Sequence, residues 1–81
     1  MSLTIRLFAV FRERIGRPAL ELPAAPGDTV ASVWERVVDG HPDLGALRPS
    51  TRFAVNGVYA PPETAVRDGD EVAFLPPMSG G

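Results

Sequence analysis

One stretch of this chain has the rhythm of an amphipathic helix, and it constrains everything around it. Val30, Val33, Trp34, Val37 and Val38 recur at i, i+3, i+4, i+7 and i+8, which places them on a single stripe. A lone helix cannot bury that stripe against itself, so it requires a sheet or further helices as its partner. The segments on either side alternate with a period of two, and one helix lying on a sheet is therefore the architecture predicted. Pro26-Gly27-Asp28-Thr29 reads as the turn that opens the helix, with Asp28 or Thr29 placed to cap its free N–H groups. Gly40 is expected to close it in a left-handed conformation, and Pro42 prevents its continuation.

Leu3 to Phe11 reads as a half-buried strand, with Leu3, Ile5 and Leu7 facing the core and Thr4, Arg6 and Phe8 facing away. Arg12-Glu13-Arg14-Ile15-Gly16 is expected to turn the chain into a second strand, Ala19 to Leu22, which ends at Pro23. Beyond the helix, a loop is predicted from Asp43 to Ser50. Phe53 to Tyr59 then reads as a hairpin, because Asn56-Gly57 supplies the two positive φ angles of a type I′ turn. In that register Val55 faces Val58 and Ala54 faces Tyr59. Arg67-Asp68-Gly69-Asp70 makes another turn, and Glu71 to Leu75 is the last strand, with Val72 and Phe74 inward and Pro76-Pro77 ending it. The class is α+β: a mixed sheet of four to five strands on one main helix, a domain over residues 1–77 and a flexible Gly-Gly tail over 78–81.

At 81 residues there is room for one compact core, which buries only about 60 to 65% of the surface of the unfolded chain. Apolar residues at 44% and charged residues at 22% are ordinary globular values, so the chain is expected to fold on its own. The net charge of −2 and the mixed signs along the chain argue against nucleic-acid or anionic-membrane partners. With neither a signal-peptide core nor an apolar run of membrane-spanning length, a cytoplasmic location is expected. Cysteine is absent, which removes disulfides, thiolate metal sites and cysteine nucleophiles; any sulfur chemistry must borrow its sulfur. His41 is the only histidine, so neither a catalytic triad nor a zinc site assembles from the usual parts, and it reads as an ordinary loop residue. All eight basic residues are arginine; either a compositional bias of the host or selection against self-conjugation accounts for that.

The end of the chain is the unusual part. Pro76-Pro77 favours stiff, extended backbone, and Met78-Ser79-Gly80-Gly81 follows with a reach of roughly 14 Å. Glycines at 80 and 81 carry no Cβ and suit a narrow channel. A terminal carboxylate is ionised at neutral pH and a poor electrophile, so its use requires prior activation, for example adenylation. A frayed or engineered end is the alternative account of a terminal Gly-Gly. Phe8, Tyr59 and Leu75 form a second feature, since each falls on the face opposite the core. They make either one exposed patch near the root of the tail, separate surface residues, or a small second core under a loop.

Three runs carry a family resemblance over essentially the full length: Leu7-Phe8-Ala9-Val10-Phe11-Arg12-Glu13 with Gly16, Phe53-Ala54-Val55-Asn56, and Asp68-Gly69-Asp70-Glu71-Val72-Ala73-Phe74 with Pro76-Pro77 and Gly80-Gly81. In these the chain resembles the ubiquitin-like sulfur carriers of molybdenum-cofactor and thiamine biosynthesis, and most of all the branch that serves molybdopterin synthase as its small subunit. The resemblance implies a β-grasp fold with the first and last strands adjacent. It also implies adenylation of Gly81 by an ATP-using, ubiquitin-activating-type adenylyltransferase. A sulfur donor protein then yields the Gly81 thiocarboxylate, which donates sulfur to cyclic pyranopterin on the synthase large subunit, in a heterotetramer of two small and two large subunits. On this view the chain holds no resident cofactor or metal, and the catalytic side chains belong to the large subunit. Phe8, Tyr59 and Leu75 match the family's apolar docking patch, and Arg12 lies where a polar interface contact would fall. Other readings are a carrier for thiamine or tRNA thiolation, a protein modifier joined through Gly81 to a lysine, and a binding module whose Gly-Gly end is incidental.

Overall fold

The computed structural model describes residues 1–77. Its elements run β1 (Ser2–Leu7), α1 (Val10–Ile15), β2 (Ala19–Pro23), α2 (Val30–Gly40), a 3-10 helix (Pro42–Ser50), β3 (Arg52–Val55), β4 (Val58–Tyr59) and β5 (Glu71–Leu75). The sheet has five strands in the order β2-β1-β5-β3-β4. β5 lies at its centre, parallel to β1 and antiparallel to β3. The tail expected over 78–81 lies outside the described residues.

α2 forms where its stripe predicts. Val30, Val33, Trp34 and Val37 are buried, and they meet Leu3, Ile5, Leu7, Phe53, Val72 and Phe74 from the sheet in one core. Each such side chain, taken from water, stabilises the fold by about 1.5–3 kcal/mol. The centre is aromatic: Trp34 meets Phe74 edge-on at 5.1 Å between ring centroids, and Phe11 meets Trp34 and Phe74 at 5.9 Å each. Thr29 caps α2 reciprocally, its Oγ1 accepting from the Ser32 N–H at 3.1 Å while Ser32 Oγ accepts from the Thr29 N–H at 2.9 Å. Asp28, also buried, accepts from the Ala25 N–H and from Arg36, both at 2.8 Å, which fastens the preceding turn to the helix.

Three expectations need correction. The first strand ends at Leu7 rather than Phe11, and the segment read as a turn is the helix α1. The break falls at Ala9, whose φ of 48° and ψ of −118° match the first central position of a type II′ turn, with the Phe11 N–H donating to the Phe8 carbonyl at 3.0 Å. Val10–Ile15 then coils one turn and a half, and Gly16 stops it at φ 85°. Second, Gly40 is the last residue of α2 and not a left-handed cap; the chain leaves through His41 at φ −142°. Third, the loop expected over 43–50 is 3-10 helix, begun by Pro42 and anchored by the fully buried Leu44.

Both sequence-predicted hairpins are present, and the second has its predicted register. Asn56 and Gly57 have φ 50° and 85°, and Val55 pairs with Val58 and Ala54 with Tyr59. The hairpin tip is tied to the start of β5, since Asn56 Oδ1 accepts from the Glu71 N–H at 2.9 Å and Asn56 Nδ2 donates to Asp70 Oδ1 at 3.0 Å.

Candidate functional site: the open face of the sheet

α2 covers one face of the sheet and leaves the other to solvent. Because side chains alternate along each strand, register alone lays out the open face. Arg6 stands beside Ala73, Ala73 beside Ala54, and Ala54 beside Tyr59, a row that crosses four strands. One step towards the C-terminal end of β5, Leu75 stands beside Arg52, and Phe8 follows the end of β1. Two alanines at the centre of the row make a low floor. Phe8, Tyr59 and Leu75 rise around it and wall a groove of about 360 Å³.

Exposure within the groove is graded. Tyr59 is 73% exposed and Phe8 37%, while Leu75 is half-buried. Large apolar side chains held this far out of the core are costly to leave in water. Phe8 takes its place from the turn at Ala9, which ends β1 and sends Phe8 and Phe11 to opposite sides of the sheet. Arg6 closes one rim, its guanidinium 5.8 Å from the Phe8 ring and 3.4 Å from the Glu71 carboxylate. That pair is half-exposed and neutralises the rim more than it stabilises it. Asp70, next to Glu71, has its carboxyl held below the usual range by the Asn56 side-chain hydrogen bond first and the Arg67 backbone N–H second.

The open face thus brings together three of the four docking residues named from the sequence, Phe8, Tyr59 and Leu75. They form one patch rather than three separate residues. Arg12 does not join them; it is exposed on α1 and lines no part of the groove. Gly80 and Gly81 lie outside the described residues. Pro76 and Pro77 continue from Leu75 along a wider surface shared with Phe8, Arg52 and Tyr59, so the chain leaves the sheet beside the patch. The alanine floor went unread in the sequence, although alanine at two outward strand positions is the signal for it. Among the described residues no cluster of three or more His, Asp or Glu side chains could hold a metal ion, and no helix is long and apolar enough to cross a membrane.

A five-stranded sheet grasping one main helix, its last strand at the centre and an apolar patch on its open face, defines a ubiquitin-like β-grasp protein. The crystal structure of SAMP1 from Haloferax volcanii superposes with a TM-score of 0.86 at 28% identity, covering all of both chains. The chain belongs to the ThiS family, whose model matches residues 5–81. It is 32% identical to a molybdopterin synthase sulfur carrier subunit from Chlamydomonas reinhardtii, over the whole of both chains. It is also 33% identical to small archaeal modifier protein 3 from Haloferax volcanii, again over the whole of both.

Proposed function

We propose that this chain is a cytoplasmic sulfur carrier for molybdenum-cofactor synthesis and that its working group is the Gly81 carboxylate. The observation that carries the reading is the full-length match to sulfur carrier subunits, running through Gly80-Gly81, beside an apolar patch at the root of that segment. An ATP-using, ubiquitin-activating-type enzyme joins the carboxylate to AMP with release of pyrophosphate. Sulfide-level sulfur delivered by a sulfur donor protein then attacks the acyl carbonyl and AMP leaves, giving a thiocarboxylate. The synthase large subunit, seated on Phe8, Tyr59 and Leu75 with Arg12 as a polar contact, brings that sulfur to cyclic pyranopterin. ATP belongs to the activating enzyme, and the chain itself holds no resident cofactor.

Catalytic side chains on this account are supplied by the large subunit, and the carrier contributes a reactive terminus and a docking face. The decisive experiment is the intact mass of the purified chain after incubation with its activating enzyme, ATP and a sulfur source. Replacement of one oxygen by one sulfur, mapped to Gly81, is the expected result. An unchanged mass with no adenylate formed would overturn the reading.

The relation to an archaeal modifier protein supports a second reading, in which activated Gly81 is transferred to a lysine amine of another protein. Having arginine at every basic position, the chain itself offers no lysine acceptor and could not extend into lysine-linked chains. High-mass conjugates of a tagged chain in cell extract, lost on deletion of Gly81, would favour this reading over the first.

A further inference from the structure

A second cleft of about 370 Å³ opens on the far side of Tyr59, between the end of the 3-10 helix and the Pro61-Pro62 segment. Two arginines, Arg48 and Arg52, line it, and no carboxylate does. Among the described residues Arg6, Arg14 and Arg36 each form an ion pair; Arg48 and Arg52, like Arg12, Arg17 and Arg67, form neither an ion pair nor a side-chain hydrogen bond, but these two line one cleft together. Two arginines thus line one cleft of a chain whose net charge is −2. Arg48 is held in place: its guanidinium stacks 4.9 Å from the Phe53 ring centroid, which leaves its planar donor fork oriented before any ligand arrives.

We infer that this cleft receives an acidic side chain, Asp or Glu, from the protein that docks on the Phe8, Tyr59 and Leu75 groove. The inference rests on the docking face proposed above and gives it a polar anchor. Continuity is the first argument, because Tyr59 and Arg52 border both the cleft and the surface that carries Phe8 and Leu75. Charge is the second, because two cations without internal partners complement a carboxylate and repel a basic surface. A free anion is the weaker candidate. The cleft is open to water, where an ion pair gains little, and it becomes enclosed only when a partner covers Tyr59.

The test measures affinity for the cognate synthase large subunit at low and high salt, using the wild-type chain, the double variant R48M/R52Q and the single variant F8A. Methionine at 48 keeps an apolar cover over Phe53, and thermal unfolding confirms that the variants fold. The expected result is a loss of about tenfold or more for R48M/R52Q at low salt, narrowing towards the wild type at high salt. Equal affinity of R48M/R52Q and wild type at both salts, with F8A weakened, overturns the acidic anchor and leaves the docking face standing. If F8A also binds unchanged, the docking face itself is wrong. Competition by inorganic phosphate at millimolar concentration without the large subunit's acidic residues being required would assign the cleft to a free anion and overturn the inference.

Discussion

Replacing Ala9 by glycine should stabilise this protein, although the same change elsewhere usually does the reverse. At φ 48° and ψ −118° the Ala9 Cβ crowds the neighbouring peptide, in a region that only glycine occupies without strain. Conformations of this kind cost about 1–3 kcal/mol. Glycine removes that cost but gives the unfolded chain more freedom, which offsets about 0.4–1 kcal/mol. Ala9 is exposed and has no core contact to lose. The net expectation is a gain of about 0–2.6 kcal/mol, centred near 1.3 kcal/mol, by the same two estimates. At the centre of that range a domain of this size gains roughly 5–10 °C in Tm. Calorimetry or urea denaturation of A9G against wild type measures it directly. A lower Tm, by the usual 0.5–1 kcal/mol or so of an Ala→Gly change, would show that the turn is relaxed and that the argument for how Phe8 is aimed is mistaken.

Two further perturbations probe the core and the hairpin tip. Phe11→Ala removes the ring that meets both Trp34 and Phe74; a loss of about 3–5 kcal/mol is expected, enough to leave the fold marginal in urea, and a loss under about 1 kcal/mol would deny α1 a place in the core. Asp70 has a folded pKa below its unfolded value of 3.8, so its contribution is present above that pH and is lost as pH falls through the folded value. Asp70→Asn should therefore flatten the acid limb of a stability–pH curve and change its neutral part little, because the group is mostly solvated; an unchanged acid limb would remove Asp70 from the account.

Much of this fold was legible because local chemistry and tertiary need agree. The stripe from Val30 to Val38 had one solution, and Asn56-Gly57 has few uses other than the turn it makes. The failures share a cause. Phe8 to Phe11 continues the alternation of β1, so the pattern gives no warning that Ala9 adopts a conformation normally reserved for glycine. Gly40 looked like a cap because glycine commonly serves as one, yet Pro42 begins a new helical turn so soon that no left-handed residue is needed. The patch of Phe8, Tyr59 and Leu75 was visible as three outward residues on three strands. Their proximity was not, since it depends on β5 lying between β1 and β3, a long-range pairing that alternation cannot reveal. Arg48 and Arg52 escaped notice for the same reason. Four positions apart in sequence, they line one cleft from either side of the junction between a 3-10 helix and a strand rather than from one element.

The central position of β5 also bears on the order in which the protein is made. Every residue before Glu71 leaves the ribosome first, yet β1 and β3 do not touch as neighbours until β5 arrives to lie between them. Up to that moment the nascent chain holds two separate hairpins and a helix whose stripe has no finished sheet to cover, so cooperative folding waits for the last strand. A chain truncated by a stop codon or a stalled ribosome anywhere upstream of β5 is then left unfolded and open to proteolysis. Synthesis order thereby acts as a check on integrity: a chain that has completed its sheet has been made at least as far as Leu75, the end of β5.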